Sequence, residues 1–213
     1  MSRNGIVIDL ETTGSDPRED RICSLALIAL VDGRVQPGGQ LYLYFDPQQP
    51  SEPEALQRHG LDDWQLRHQP RFSAYAAQLR RMLLTAPLVI GHHLPRKMRF
   101  MNQEFERAAL SPIAPRGFCT REAAKRRWPN ASPELDACLT RLGFNREGRK
   151  HGASEDCALI AALYLFFQGE MKPDIRYPSK AHNLVAVPPA PRPLPPRARP
   201  AFPPASRAAQ TAS

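Results

Sequence analysis

The chain lacks the patterns that identify several large classes of protein. Its four cysteines are far apart and form no CxxC pair, which argues against a zinc knuckle and against a disulfide framework. No apolar run approaches the roughly 18 residues that a membrane-spanning helix requires. The N-terminal stretch has no basic-then-apolar signal, and no internal repeat is visible. We therefore expect a cytoplasmic protein with reduced cysteines and no membrane association.

The composition divides the chain into a folded domain and a tail. The 213 residues, 42% of them apolar, suffice for one domain of ordinary size with an appendage. Residues 171–213 contain 11 of the 23 prolines. Such a segment cannot bury enough apolar surface to offset its chain entropy. We predict a domain over residues 1–170, followed over residues 171–213 by a basic, proline-rich tail that is extended or disordered.

The positive charge follows the same boundary. The net charge of the whole chain is +8, and residues 171–213 carry seven basic residues and one acid, so the domain itself is only weakly basic. Three interpretations of the tail are open. It could be a solvated linker, a tether that holds nucleic acid through salt-sensitive contacts, or a polyproline ligand.

Hydrophobic patterning predicts a mixed α/β domain. Apolar runs at residues 5–10, 22–31 and 40–45 are typical of three consecutive antiparallel strands. Short strands and helices then alternate along the rest of the domain. Strands are predicted at 87–91 and 118–120, and helices from about 51 and at 72–85, 95–110, 121–128, 133–142 and 153–167. This order favours a mixed five-stranded sheet flanked by helices.

Two carboxylates stand at the end of the first predicted strand. Residues 9–14 read Asp-Leu-Glu-Thr-Thr-Gly. Because residues i and i+2 of a strand point to one face, Asp9 and Glu11 converge where the chain leaves the sheet. Carboxylates this close repel each other, and a divalent cation is the usual means of keeping both ionised. A strand-end turn with two solvated acids is the alternative interpretation.

A histidine and an acid open the last predicted helix. Residues 151–156 read His-Gly-Ala-Ser-Glu-Asp, a spacing that can place Asp156 beside the first two acids and the His151 imidazole above them. A neutral imidazole there could take a proton from an attacking water, because its ordinary pKa lies near physiological pH. The Ser-Glu-Asp run also suits the N-terminus of a helix, so capping is the alternative interpretation.

Together the two segments resemble the first and third motifs of the DnaQ-like 3′→5′ exonucleases, in the DEDDh branch that includes proofreading subunits of replicative polymerases. Residues 53–72 and 88–92 resemble the family's connecting segment and the strand before its second motif. The resemblance covers residues 5–168 and implies an RNase H-like fold. It also implies Mg²⁺ or Mn²⁺ as cofactor and release of mononucleotides from a 3′ end.

The resemblance assigns roles to individual residues. Asp9, Glu11 and Asp156 would hold the principal metal ion, and His151 would activate the attacking water. In the family's chemistry, two cations bracket the scissile phosphate and stabilise both the attacking and the leaving oxygen. These four residues are therefore the predicted catalytic set.

Further expectations concern the substrate and its partners. By the same resemblance, Thr12, Thr13 and Leu61 would lie against the terminal nucleotide. We expect the 3′ end of a nucleic acid as the substrate, with single-stranded DNA favoured and RNA an alternative. A polymerase is a candidate protein partner.

The second motif departs from the family's pattern. Where the family reads His-Asn-x-x-Phe-Asp, residues 92–97 read His-His-Leu-Pro-Arg-Lys, so Lys97 stands at the position of the fourth acid. Glu104 follows about two helical turns later and cannot replace it. Three interpretations are open. Lys97 could supply part of the charge of a missing ion, or the domain could be a binding or regulatory module with little activity. Alternatively, Lys97 and its basic neighbours could bind a different phosphate-bearing substrate.

The segment over residues 40–45 reads Gln-Leu-Tyr-Leu-Tyr-Phe and resembles the short peptide by which bacterial proteins dock on the sliding clamp. Its predicted place in the third strand argues against this role, because a strand buried in a sheet cannot also enter a partner's groove.

Overall fold

The computed structural model describes residues 4–143, 152–170 and 180–199. Within these ranges, none of the helices has the length and apolar character needed to cross a membrane.

A five-stranded mixed sheet forms the centre of the domain. Strands β1 and β2 are antiparallel to each other, as are β2 and β3, whereas β4 runs parallel to β1 and β5 runs parallel to β4. The strand order is β3-β2-β1-β4-β5, which confirms the predicted architecture. The bounds are β1 Gly5–Thr12, β2 Ile22–Val31, β3 Arg34–Tyr44, β4 Val89–Gly91 and β5 Gly117–Cys119.

Seven helices lie within the described residues. They are α1 Pro53–His59, α2 Asp63–Leu66, α3 Ala76–Thr85, α4 Leu94–Arg107, α5 Thr120–Arg127, α6 Leu135–Arg141 and α7 Ala153–Phe167. The short α2 was not predicted. It begins because the Asp62 side chain accepts hydrogen bonds from the first free backbone N–H groups. The helix predicted over residues 72–85 is divided into a 3₁₀ turn at Phe72–Ala74 and α3.

The two faces of β1 belong to two hydrophobic clusters. Ile8 and Leu10 pack in the cluster that includes residues of α3 and α4, whereas Val7 packs with residues of α7. Small residues on α7 permit a close approach to the strand, and the Cys157 Sγ lies 3.4 Å from the backbone oxygen of Val7. The alternation of side chains along β1 therefore directs its odd-numbered residues toward α7.

Residues 180–199 run along the domain without regular secondary structure. The backbone of Tyr42, on the edge strand β3, exchanges hydrogen bonds with His182. The Asn183 side chain bonds both the N–H and the carbonyl of Tyr44, at 2.8 and 2.6 Å. These contacts satisfy backbone groups that an edge strand leaves open. The prediction of an extended or disordered tail over residues 171–213 rested on apolar burial alone and did not consider such polar contacts.

Two tail arginines pair with acids of the domain. Arg197 pairs with Asp46 and lies 3.3 Å from Asp63. Arg199 pairs with Asp20 at 2.7 Å and with Glu52 at 3.1 Å. Guanidinium groups bound in this way are not free for phosphate, which weakens the tether interpretation for these two residues.

The burial of residues 40–45 agrees with the argument against clamp docking. The side chains of Leu43 and Phe45 are 1% and 0% exposed. Both belong to the core cluster on the α3 and α4 side. A partner's groove could receive them only after the third strand had left the sheet.

A chain that ends after Glu170 should be less stable than the full chain. It loses four hydrogen bonds to β3 and the arginine ion pairs. A net contribution of at least about 0.5 kcal/mol per hydrogen bond leads us to expect a loss of at least about 2 kcal/mol in the free energy of unfolding. Urea denaturation measures this difference. The control ends after Arg199, keeps the described contacts and should match the full chain. Equal stability of the chain that ends after Glu170 would show that these contacts contribute nothing.

Candidate active site

A cavity of ≈ 430 Å³ lies beside the C-terminal half of β1. The first turns of α4 and α7 and the residues around the start of α6 form other parts of its wall, and Arg58 of α1 also lines it. The end of β1 and the N-termini of α4, α6 and α7 therefore border the same cavity. Helix N-termini present backbone N–H groups that have no partner within the helix and can bind a ligand.

Three carboxylates converge in the cavity. Asp9 and Glu11 lie two residues apart on β1, on the face that packs against α7, and Asp156 joins them from the first turn of α7. One oxygen from each lies within 4.8 Å of the other two, and the three residues are 4%, 8% and 9% exposed. The predicted association of these acids is present in the structure.

This acid cluster suits one divalent cation. Buried carboxylates so close together are strongly unfavourable when all are ionised, unless a positive charge lies among them. Metal–oxygen distances of about 2.1 Å put opposite ligands of an octahedral Mg²⁺ about 4.2 Å apart, so three oxygens within 4.8 Å match such a ligand shell. Mn²⁺ takes the same oxygen ligands.

Lys97 is the cation that the structure places among these acids. Its Nζ lies 2.6 Å from the Asp9 Oδ1, and its side chain is 16% exposed. Burial lowers the pKa of Lys97, but the neighbouring carboxylates, Asp9 foremost, outweigh this effect and raise the pKa above its ordinary value. The lysine is therefore a charged ammonium that occupies part of the space beside Asp9. Among the described residues, no fourth carboxylate is grouped closely with these three, and the ammonium charge beside Asp9 disfavours a second metal ion there.

The predicted substrate-binding residues have different positions. Thr12 lines the cavity, and its hydroxyl donates to the Gly14 carbonyl at 2.6 Å. Thr13 is fully buried outside the lining, and its hydroxyl donates to Asp20 at 2.9 Å and accepts from Gln49 at 2.8 Å. Leu61 is half-buried and also outside the lining. His151 lies outside the described residues.

Glu104 has a structural partner and does not serve the site. Its carboxylate accepts two hydrogen bonds from Arg21, at 2.6 and 3.0 Å, and one from Arg107 at 3.2 Å. It is 2% exposed, and it connects α4 to the start of β2. The structure therefore agrees with the argument that Glu104 does not replace the missing fourth acid.

Several cavity residues were missed by sequence reasoning. His92 is buried, its Nδ1 lies 3.0 Å from the Thr120 Oγ1, and burial followed by the charge of Lys97 lowers its pKa to about 4. Its Nε2 has no partner among the described residues. Arg58 and Glu134 also line the cavity. Arg58 lies within residues 53–72, whose resemblance to the family's connecting segment assigned it no role, and nothing in the sequence marked Glu134. Arg96, a basic neighbour of Lys97 that the sequence offered as a phosphate contact, lines the cavity as well.

Comparison with known proteins identifies the family to which the chain belongs. The family model RNase_T, described as an exonuclease, matches residues 6–164. The DNA polymerase III subunit epsilon of Pasteurella multocida is 30% identical over 174 residues, which cover 77% of this chain and 68% of that protein. The same subunit of Rickettsia prowazekii is 29% identical over 188 residues, covering 84% and 81%.

Solved structures show the same fold. Exonuclease I without ligand aligns with a TM-score of 0.68 at 18% identity, over 79% of this chain and 42% of that chain. Exonuclease X in complex with 5′ overhanging duplex DNA aligns with a TM-score of 0.57 at 20% identity, over 77% and 90%. The present chain thus spans about two fifths of the exonuclease I chain. On the match over residues 6–164, the chain belongs to the RNase_T exonuclease family, with the RNase H-like fold of the DnaQ-like 3′→5′ exonucleases.

Proposed function

We propose that the chain is a metal-dependent 3′→5′ exonuclease that hydrolyses phosphodiester bonds at the 3′ end of DNA. The observation that carries the proposal is the convergence of three buried carboxylates in one cavity that basic side chains also line. Asp9, Glu11 and Asp156 would hold one Mg²⁺ or Mn²⁺. Membership of the exonuclease family supports the reaction class.

The charges of the site support a single cation. Three ionised carboxylates and the Lys97 ammonium have a net charge of −2, which one divalent cation balances. A fourth carboxylate in place of the lysine would change this sum to −4, which calls for two cations. The substitution at Lys97 therefore changes the number of ions and preserves the charge balance of the occupied site.

The metal ion, Lys97 and His151 would have different roles in the reaction. A bound divalent cation supplies Lewis-acid stabilisation of charge on the phosphate oxygens. The Lys97 ammonium, fixed by Asp9 at 2.6 Å, adds positive charge where the transition state gathers negative charge. His151, at the position of the family's histidine, takes the proton from the attacking water.

The relatives support a proposal for the substrate and the partner. Exonuclease I has been solved with a dT13 oligonucleotide, and the related epsilon proteins are named as subunits of DNA polymerase III. We propose single-stranded DNA ends as the substrate and a DNA polymerase as the partner. The buried Leu43 and Phe45 argue against docking of this chain on a sliding clamp through β3.

A second function competes with the first because of one contact. The ion pair between Lys97 and Asp9 takes up an oxygen that a metal ion would use. If Lys97 keeps its ion pair with Asp9 and thereby prevents a divalent metal ion from binding, the domain binds 3′ ends without cleaving them. It would then be a regulatory module of the same fold.

Digestion of a single-stranded oligonucleotide tests the proposed reaction. With Mn²⁺ present, the wild-type chain should release mononucleotides from the 3′ end, and Asp9→Ala should reduce the rate at least about 100-fold because it removes a metal ligand and the partner of Lys97. Arg192→Ala in the tail is the control for a change of surface charge.

The variant Lys97→Asp separates the two functions. No cleavage by the wild type together with strong cleavage by Lys97→Asp would establish the non-catalytic module. No cleavage by either chain would contradict exonuclease activity altogether.

Calorimetric titration with Mn²⁺ tests the metal site without reference to turnover. The wild type should bind Mn²⁺, and Asp156→Ala should abolish that binding because two carboxylates remain, one of them paired with Lys97. Lys97→Met keeps a similar side-chain volume and removes the ammonium from beside Asp9. Mn²⁺ should therefore bind about tenfold more tightly, as expected when a like charge is removed from the surroundings of the metal ligands. Unchanged Mn²⁺ affinity in Asp156→Ala would show that the acids do not form the site.

A further inference from the structure

The first turns of α4 break the usual rule for charges at a helix start. The N-terminus of a helix has a partial positive charge and favours acids nearby. The first turn of α4 contains no acid, and its sequence places Arg96, Lys97 and Arg99 close to that end. Lys97 is compensated by Asp9. The unfavourable arrangement therefore centres on Arg96.

Arg96 shares the cavity with a second arginine. Arg96 and Arg58 both line it, from α4 and α1. Neither side chain has a carboxylate within ion-pair distance among the described residues. The Arg96 guanidinium lies over the ring of Phe100, 5.8 Å from its centroid. Burial lowers the pKa of Arg96, and the charges of Arg58 and Arg99 lower it further, which agrees with the proximity of the two cavity arginines.

Arg58 and Arg96 line one cavity without an ion-pair partner among the described residues, and the acids nearest in effect to Arg96, Asp20 and Glu11, only partly offset the charges of Arg58 and Arg99. An anion bound between the two cavity arginines would complete the compensation of their charges. Folding that brings like charges together without a counterion is destabilising, and such local conflicts are expected mainly at functional sites. A planar guanidinium donates two parallel hydrogen bonds to phosphate or carboxylate oxygens. A tetrahedral phosphate has enough oxygens to accept from both arginines at once.

We propose that Arg58 and Arg96 form a phosphate-binding subsite that holds a backbone phosphate of the nucleic acid strand beside the acid cluster. This inference rests on the proposed exonuclease function, because the nucleotide is the ligand whose phosphate enters this cavity. It also explains one departure from the family's second motif. At the position where the motif usually has phenylalanine, this chain has Arg96, which would bind the phosphate. Positive charge that a second metal ion would have offered to the substrate is supplied by side chains.

Binding of thymidine 5′-monophosphate, inorganic phosphate and thymidine tests the subsite by calorimetry in the presence of Mn²⁺. The wild type should bind the nucleotide more tightly than either fragment. Arg58→Ala and Arg96→Ala should each weaken nucleotide binding about tenfold, the loss expected for a charge-assisted hydrogen bond, and should leave thymidine binding unchanged.

Arg99→Ala is the matched control, because it removes the same charge from the same helix at an exposed position outside the cavity lining. Arg99→Ala should change nucleotide affinity less than twofold, because solvent and salt screen an exposed charge. Arg96→Phe, which inserts the family's usual residue, serves as a second variant should Arg96→Ala fail to fold, and circular dichroism checks both.

The binding and cleavage measurements distinguish failure of the subsite from failure of the proposed reaction. Unchanged nucleotide affinity in the folded Arg96 variant, an equal loss for thymidine, or an equal loss in Arg99→Ala would overturn the subsite. Inorganic phosphate that binds as tightly as the nucleotide would also overturn it as a strand-binding site. If neither the wild type nor Lys97→Asp cleaves the oligonucleotide, but nucleotide binding still depends on Arg58 and Arg96, the proposed reaction is overturned and the phosphate-binding subsite is retained.

Discussion

The ion pair between Lys97 and Asp9 is the contact on which the chemistry of this domain depends. It links the first turns of α4 to the end of β1 at 2.6 Å and reduces the negative charge of an otherwise all-carboxylate cluster. Because the lysine is enclosed by acids, its charge is retained rather than lost through burial. The site thus has the composition of an exonuclease with one positive charge built into the chain.

The fold explains why these groups meet. Alternation along β1 directs Val7, Asp9 and Glu11 toward α7, and the close packing of Cys157 against the strand brings Asp156 beside them. The opposite face of the strand is filled by residues packed with α3 and α4. A change in the register of β1 by one residue would turn both acids into the apolar core, so the sheet and the site require the same pairing.

Sequence patterns predicted the parts of this site that depend on local spacing. The i and i+2 acids of β1 and the position of Asp156 in the first turn of α7 follow from strand and helix periodicity. Patterns could not predict contacts between distant segments. The network that buries Thr13 with Asp20 and Gln49 joins the β1–β2 loop to the loop between β3 and α1. The pairing of Asn183 with Tyr44 spans most of the chain. Arg58 lies in the segment that resembles the family's connecting segment, but its position in the cavity depends on the placement of α1, which local patterns do not give.

Anomalous diffraction from crystals soaked in Mn²⁺ would count the metal ions bound in the site. We expect one anomalous peak among Asp9, Glu11 and Asp156, with the Lys97 ammonium still paired with Asp9. Two peaks of comparable height, or a Lys97 side chain displaced from the acid cluster by a metal ion, would contradict this expectation.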